Sequence, residues 1–197
     1  MLLIKFLWCG LLYFFFNGAT AQTYQASISE GSTFTLKGSS NVNEFKLVYT
    51  GSLGSANKVQ VKKEETRLHV ISANALNLSV LDFKSSNSYI TKDFRKMLRA
   101  EVYPTLSIEP ISMWAQKNQP GKISALINLT IAGCTRQEII TLTLTEQKSS
   151  SLQCKGSHVI SLKKYALTAP KKAWGAVQVN DSVTIDMLLN LQYKKVD

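Results

Sequence analysis

Histidine, cysteine and proline are scarce in this chain: two, three and four of its 197 residues. His69 and His158, with Cys9, Cys134 and Cys154, offer no ligand-like spacing, so the pattern excludes the common zinc and iron–sulfur frameworks. There is no G-x-S-x-G elbow, no H-E-x-x-H helix and no glycine-rich phosphate loop, which leaves an enzyme neither an assembled nucleophile nor a metal to work with. With few prolines and ten glycines there is no linker or low-complexity tail, and the chain reads as one domain with a core of its own. Acids are also short, 13 against 23 lysines and arginines, for a formal charge of +10. Such a balance favours anionic surroundings, including peripheral contact with an anionic membrane surface. The cations are scattered rather than interleaved with aromatics in a recognisable module, so nucleic acid is not an expected partner.

The one uninterrupted apolar run, Phe6 to Phe16, follows Lys5 and is roughly a dozen residues long, too short for a spanning helix of about 20. Asn17 and Gly18 end it, and Ala19-Thr20-Ala21 offers cleavage after Ala21. Residues 1–21 are thus expected to be a signal peptide, and residues 22–197 a periplasmic or secreted domain. Removing Lys5, with no acid in the leader, leaves a charge of +9. Cys134 and Cys154 would then meet an oxidising compartment. Pairing through a turn at Gln147–Ser150 sets Cys154 opposite a residue near Thr143 and holds Cys134 about 30 Å away along the ladder, at roughly 3.3 Å per residue, so no disulfide is expected. The sequons at Asn77, Asn128 and Asn180 are short motifs and carry little weight.

Alternation is abundant. Val183, Ile185, Met187, Leu189, Leu191 and Tyr193 occupy odd positions between mainly polar even ones, the mark of a long half-buried strand. Ile123 to Ile131 and Ile140 to Leu144 repeat it, as do Phe45-x-Leu47-x-Tyr49, Leu68-x-Val70, Phe34-x-Leu36 and Ile160-x-Leu162. Between Leu106 and Trp114 the phase switches at Glu109-Pro110, which predicts a bulge because proline cannot donate to the ladder. One segment has helical spacing instead: Ile90, Phe94, Met97 and Leu98 oppose Lys92, Arg95, Lys96 and Arg99. Ser86 to Ser88 supplies its cap and Tyr103-Pro104 its stop, and its stripe is expected to close one barrel end. The count is about eight strands in hairpins plus one helix, which suits an up-and-down barrel, either filled by side chains or holding one slender ligand.

A resemblance adds to this. Ser39-Ser40-Asn41-Val42-Asn43-Glu44-Phe45, Met97-Leu98-Arg99-Ala100-Glu101-Val102-Tyr103-Pro104 with Thr105-Leu106-Ser107-Ile108, and Leu129-Thr130-Ile131-Ala132-Gly133 are followed by Tyr165-Ala166-Leu167-Thr168-Ala169-Pro170, Trp174-Gly175 and Asp181-Ser182-Val183-Thr184-Ile185. In that order the chain resembles the YceI-like lipid-binding family across nearly all of residues 22–197. The resemblance implies an all-β fold: an extended antiparallel lipocalin-like barrel of about eight strands with one inserted amphipathic helix. Its apolar tunnel would hold a polyisoprenoid, quinone or fatty-acid-like chain, and no cofactor is required. Asn43 stands where many members carry histidine, and Cys134 replaces a small apolar residue, so the tunnel is transferred without a specific head-group anchor.

The inward phases nominate Phe45, Leu47, Val70, Ile108, Ile127, Leu129, Leu142, Ile160, Ile185 and Leu189 as tunnel lining, each of which is otherwise plain core. Trp114 and Trp174 suit a rim, with one apolar and one wet side. The alternative is a solid-barrel adaptor or stress-related interaction protein that binds an anionic partner through its basic surface. Homodimerisation through the mouth or helix stays open.

Overall fold

The computed structural model describes residues 22–53, 58–64, 67–172 and 176–196; the expected signal peptide, Cys9 and Trp174 lie outside them. The strands are β1 (Gln22–Ile28), β2 (Thr33–Ser40), β3 (Glu44–Tyr49), β4 (Lys58–Glu64), β5 (Arg67–Ala73), β6 (Leu76–Ser79), β7 (Phe83–Lys84), β8 (Thr105–Ala115), β9 (Lys122–Ile131), β10 (Cys134–Gln147), β11 (Ser151–Ser161), β12 (Lys171–Lys172) and β13 (Val177–Val196). A helix, α1 (Ser88–Leu98), separates β7 from β8, and short 3-10 turns occupy Val80–Asp82 and Leu162–Tyr165.

All pairings are antiparallel, and β1, β4, β5, β8, β9, β10, β11 and β13 close an eight-stranded ring. The ring is longer than one hairpin is tall, because β13 runs for 20 residues. One edge of β13 lies along β11 from Ser182 to Gln192. Its other edge pairs first with β2, between Val179 and Leu188, and then with β1, between Leu191 and Val196. The barrel therefore has two halves that share β8, β9, β10, β11 and β13. In one, here the closed half, β1, β4 and β5 complete the wall. In the other, the mouth half, β2, β3, β7 and β6 take their place. The expected up-and-down order holds from β8 to β11 and fails on the N-terminal side, where the wall is built twice.

Pro110 sits at that changeover. The register between β8 and β9 shifts between Pro110 and Ser112, and β8 exchanges β6 for β5 as its neighbour across the same point. A residue with no N–H is placed where the ladder is interrupted in any case. Asn190 ties down the crossing on β13: its carbonyl accepts from the Ser29 amide at 2.8 Å, and its own amide donates to Ser32 Oγ at 2.9 Å.

The helix starts as expected, with Asn87 Oδ1 accepting from the Tyr89 amide at 2.9 Å. It stops earlier than Tyr103-Pro104. Arg99 turns left-handed, at φ 53°, and its amide caps the carbonyls of Arg95 and Lys96. Phe94 and Leu98 are buried beneath the helix, with Ile90 and Met97 partly so, and the Arg95 guanidinium binds the Leu81 carbonyl at 2.6 Å, fixing α1 to the turn before β7. Cys154 lies opposite Leu144, one residue from its expected partner, and both described cysteines are free thiols.

Candidate functional site

The interior of the mouth half is hollow. A cavity of ≈ 350 Å³ runs between the sheet and α1. Its walls come from alternate residues: Phe34 and Leu36 of β2, Phe45 and Leu47 of β3, Leu106 and Ile108 of β8, Leu129 and Ile131 of β9, Ile160 of β11, and Val183 and Ile185 of β13. Ile90, Phe94, Met97 and Leu98 form a further wall, so the helix lines the cavity. Leu162 and Leu167, on the 3-10 turn after β11 and just beyond it, complete it. Polar groups gather where exposed residues border the hollow: Asn43 in the β2–β3 turn, and Asn87 and Tyr89 at the start of α1, with Ser40 and Asp93 nearby. Ser40 Oγ holds the turn, accepting from the Asn43 amide at 3.1 Å. An apolar bore with hydrogen-bonding groups at its opening suits a molecule with a long apolar body and one polar end.

Of the ten residues nominated from the inward phases, Phe45, Leu47, Ile108, Leu129, Ile160 and Ile185 border this cavity. Val70, Ile127, Leu142 and Leu189 do not. Ile127 and Leu142 are buried in packed core, Leu189 lies against that core, and Val70 is half-buried on β5. Ile127, Leu142 and Leu189 belong to a level where the barrel is packed: Leu142 and Met187 converge over Gly156, where an added Cβ would come within 2.7 Å of Leu142 Cδ2. Absent from the nominated ten are the α1 residues, Leu78 and Phe83 on the four-residue β6 and two-residue β7, and Phe34, Leu36, Leu106, Ile131 and Val183, which lie on strands whose alternation is clear.

One part of the mouth-half wall is not closed by backbone. The ladder between β10 and β11 ends at Leu142 and Gly156; beyond it β10 pairs with β9 and β11 with β13. Side chains bridge the gap. His158 Nε2 lies 3.1 Å from Glu138 Oε2, the Tyr165 hydroxyl donates to Glu138 Oε1 at 3.1 Å, and Arg136 Nε donates to the Lys164 carbonyl at 3.0 Å. Burial, reinforced by the Glu138 charge, pushes the Tyr165 phenol far above its usual range. His158 is thus inward in phase and hydrogen-bonded, with no substrate-like opening beside it. Cys134 sits at the same gap, partly buried against the core and 3.8 Å from the Lys164 carbonyl. Burial raises the Cys154 thiol to about 11, which keeps it protonated and unreactive at neutral pH. Trp114 is half-buried under the Arg67 guanidinium, 4.9 Å from its ring centre, as a rim residue should be.

Among the described residues no three His, Cys, Asp or Glu side chains gather as a metal site, and no helix is long and apolar enough to cross a membrane. The YceI-like domain matches residues 32–191, from the turn before β2 nearly to the end of β13. The chain belongs to the YceI-like family. Similar solved structures share the fold at low identity. The crystal structure of BcnA from Burkholderia cenocepacia matches with a TM-score of 0.59 and 14% identity over 83% of this chain and 99% of that one. A polyisoprenoid-binding domain from Saccharophagus degradans, implicated in plant cell wall breakdown, matches with a TM-score of 0.57 and 8% identity over 88% and 99%. No curated protein matches the sequence significantly. For this YceI-like chain the all-β, lipocalin-like barrel with one helix is the observed fold.

Proposed function

We propose that this protein is an exported, non-catalytic binding protein that holds a polyisoprenoid, quinone or fatty-acid-like lipid in the mouth half of its barrel. The observation that carries this reading is the ≈ 350 Å³ cavity, whose walls are apolar residues from eight strands and a helix. Each Å² of ligand carbon that leaves water for such a wall gains about 25 cal/mol, so a long chain binds with few polar contacts. Family membership and the polyisoprenoid-binding neighbour support the same cargo class. The export half of the proposal rests on the leader-like Met1–Ala21. A solid-barrel adaptor fits less well, because only the closed half is packed.

Mass spectrometry of the organic extract from protein purified without detergent from its own host tests the reading. The expected result is a stoichiometric isoprenoid, quinone or fatty acid. A clean extract, together with no uptake of the neutral apolar fluorophore N-phenyl-1-naphthylamine by the purified protein, would overturn it in favour of the adaptor.

A further inference from the structure

Exposed residues border the cavity in the β2–β3 turn, at Asn43, and at the start of α1, at Asn87 and Tyr89; Pro170, Val177 and Val179 line it as well. Two large apolar side chains stand in solvent there, Val42 at 64% exposure and Tyr89 at 77%. Val42 precedes the lining residue Asn43, and Tyr89 itself borders the cavity. Scattered exposed apolar residues are ordinary on a protein surface. These two differ because separate elements bring them to the exposed residues that border the apolar bore: Tyr89 is one of those residues and Val42 adjoins another, Asn43. The turn that presents Val42 is held on both flanks: the Ser40 hydroxyl hydrogen-bonds the Asn43 carbonyl at 3.1 Å, while Asn41 binds the Ala176 carbonyl at 2.7 Å and the Gln178 amide at 2.9 Å.

After Pro170 the sequence turns basic. Lys171 and Lys172 occupy the register positions opposite Gln178 and Val177. Glu44 and Asp93 are the acids on the neighbouring segments, and the chain as a whole is strongly cationic. A cargo that dissolves in an apolar cavity does not travel through water on its own, so its source and its destination are apolar phases. An aromatic ring and a branched aliphatic side chain at exposed tips settle into the interfacial layer of a bilayer, and a chain this cationic favours anionic head groups.

Building on the carrier reading above, we infer that the rim of the mouth docks on an anionic lipid bilayer. Val42 and Tyr89 enter the interface, so that the cargo passes between bilayer and cavity without crossing water.

The test is co-sedimentation of the full chain with vesicles of phosphatidylcholine alone or mixed with phosphatidylglycerol, in low and in high salt. The proteins compared are the wild type, the rim variant Val42→Asp, and a flank variant, Val159→Asp, whose target is exposed on the barrel side. The wild type and flank variant should bind the mixed vesicles about tenfold better than phosphatidylcholine alone and release them in high salt, and the rim variant should lose about tenfold. Uptake of N-phenyl-1-naphthylamine in solution should be the same for all three, which shows that each is folded with its cavity intact. Equal vesicle binding by rim variant and wild type, equal binding to both kinds of vesicle, or no binding by the wild type would overturn the inference. A wild type that binds mixed vesicles but takes up no fluorophore would instead overturn the carrier reading, leaving the docking surface in place.

Discussion

The two halves of the barrel share five strands but treat their interiors in opposite ways, and two glycines show how. Where the closed half begins, Gly156 faces inward between its ladder partners Leu142 and Met187, and its missing side chain lets both lean over it. In the mouth half Gly38 also faces inward, but there the gap is used along the wall: Phe45, its cross-strand partner, lies so close that a Cβ on Gly38 would come within 2.6 Å of the ring. One glycine lets the centre fill; the other lets an aromatic ring lie flat and leaves the centre empty. The walls differ as well. The closed half is a continuous ladder, whereas the mouth half is finished by α1 and by side chains that bridge β10 and β11.

The largest expected effect separates the halves by stability. Leu142→Ala opens a void in packed core and should cost about 3 kcal/mol, whereas Leu129→Ala, on the cavity wall, should cost about 1–2 because that side chain already has fewer partners to lose. Urea titrations with unchanged slopes would measure both. Fluorophore uptake should change for Leu129→Ala and not for Leu142→Ala. Equal costs would mean that the hollow collapses in solution and that the contrast between the halves is lost.

A smaller effect targets the glycines. Gly38→Val forces the Phe45 ring off the wall and into the bore, and should weaken fluorophore binding about tenfold, or 1.4 kcal/mol. Gly156→Ala crowds Leu142 and should cost stability, about 1–3 kcal/mol, with binding unchanged. If Gly38→Val bound the fluorophore as tightly as the wild type, Phe45 would not be the residue whose placement keeps the bore open.

Much of this fold was legible in the alternation of β8 to β11 and β13, in the phase switch at Pro110 and in the helical spacing from Ile90 to Leu98. The strands that escaped have physical reasons for doing so. In β4, Val59 and Val61 begin an apolar phase that ends in Lys63, a lysine buried at 3% exposure whose ammonium is pushed down by desolvation. β7 has two residues and no period at all. The site was half legible for a different reason. Alternation reports which face of a strand turns inward, and all four of Val70, Ile127, Leu142 and Leu189 were read on that basis. It does not report the height at which a barrel is hollow, which depends on side chains from several strands meeting or failing to meet.

The most localised effect concerns the bridged gap between β10 and β11. Tyr165 is buried and donates to Glu138, and its phenol ionises far above the value of 10.0 that an unfolded chain would show. Between those two values the native state holds a proton that the unfolded state has released, so stability must fall as pH rises above 10, by up to about 1.4 kcal/mol per pH unit for each such group. Tyr49 and Tyr193 are raised as well, and Cys154 adds a loss that begins near its unfolded value of 9.0 and ends at about 11. The wild type should therefore weaken steeply in alkali. Tyr165→Phe removes one of these protons together with a hydrogen bond to a carboxylate, which costs about 1.5–3 kcal/mol at neutral pH. Its stability curve should start lower and fall less steeply, so that the two curves converge above pH 10. Parallel curves from pH 7 to 11 would mean that Tyr165 ionises freely in the native protein, and that the mouth-half wall is looser at this gap than the hydrogen bonds to Glu138 imply.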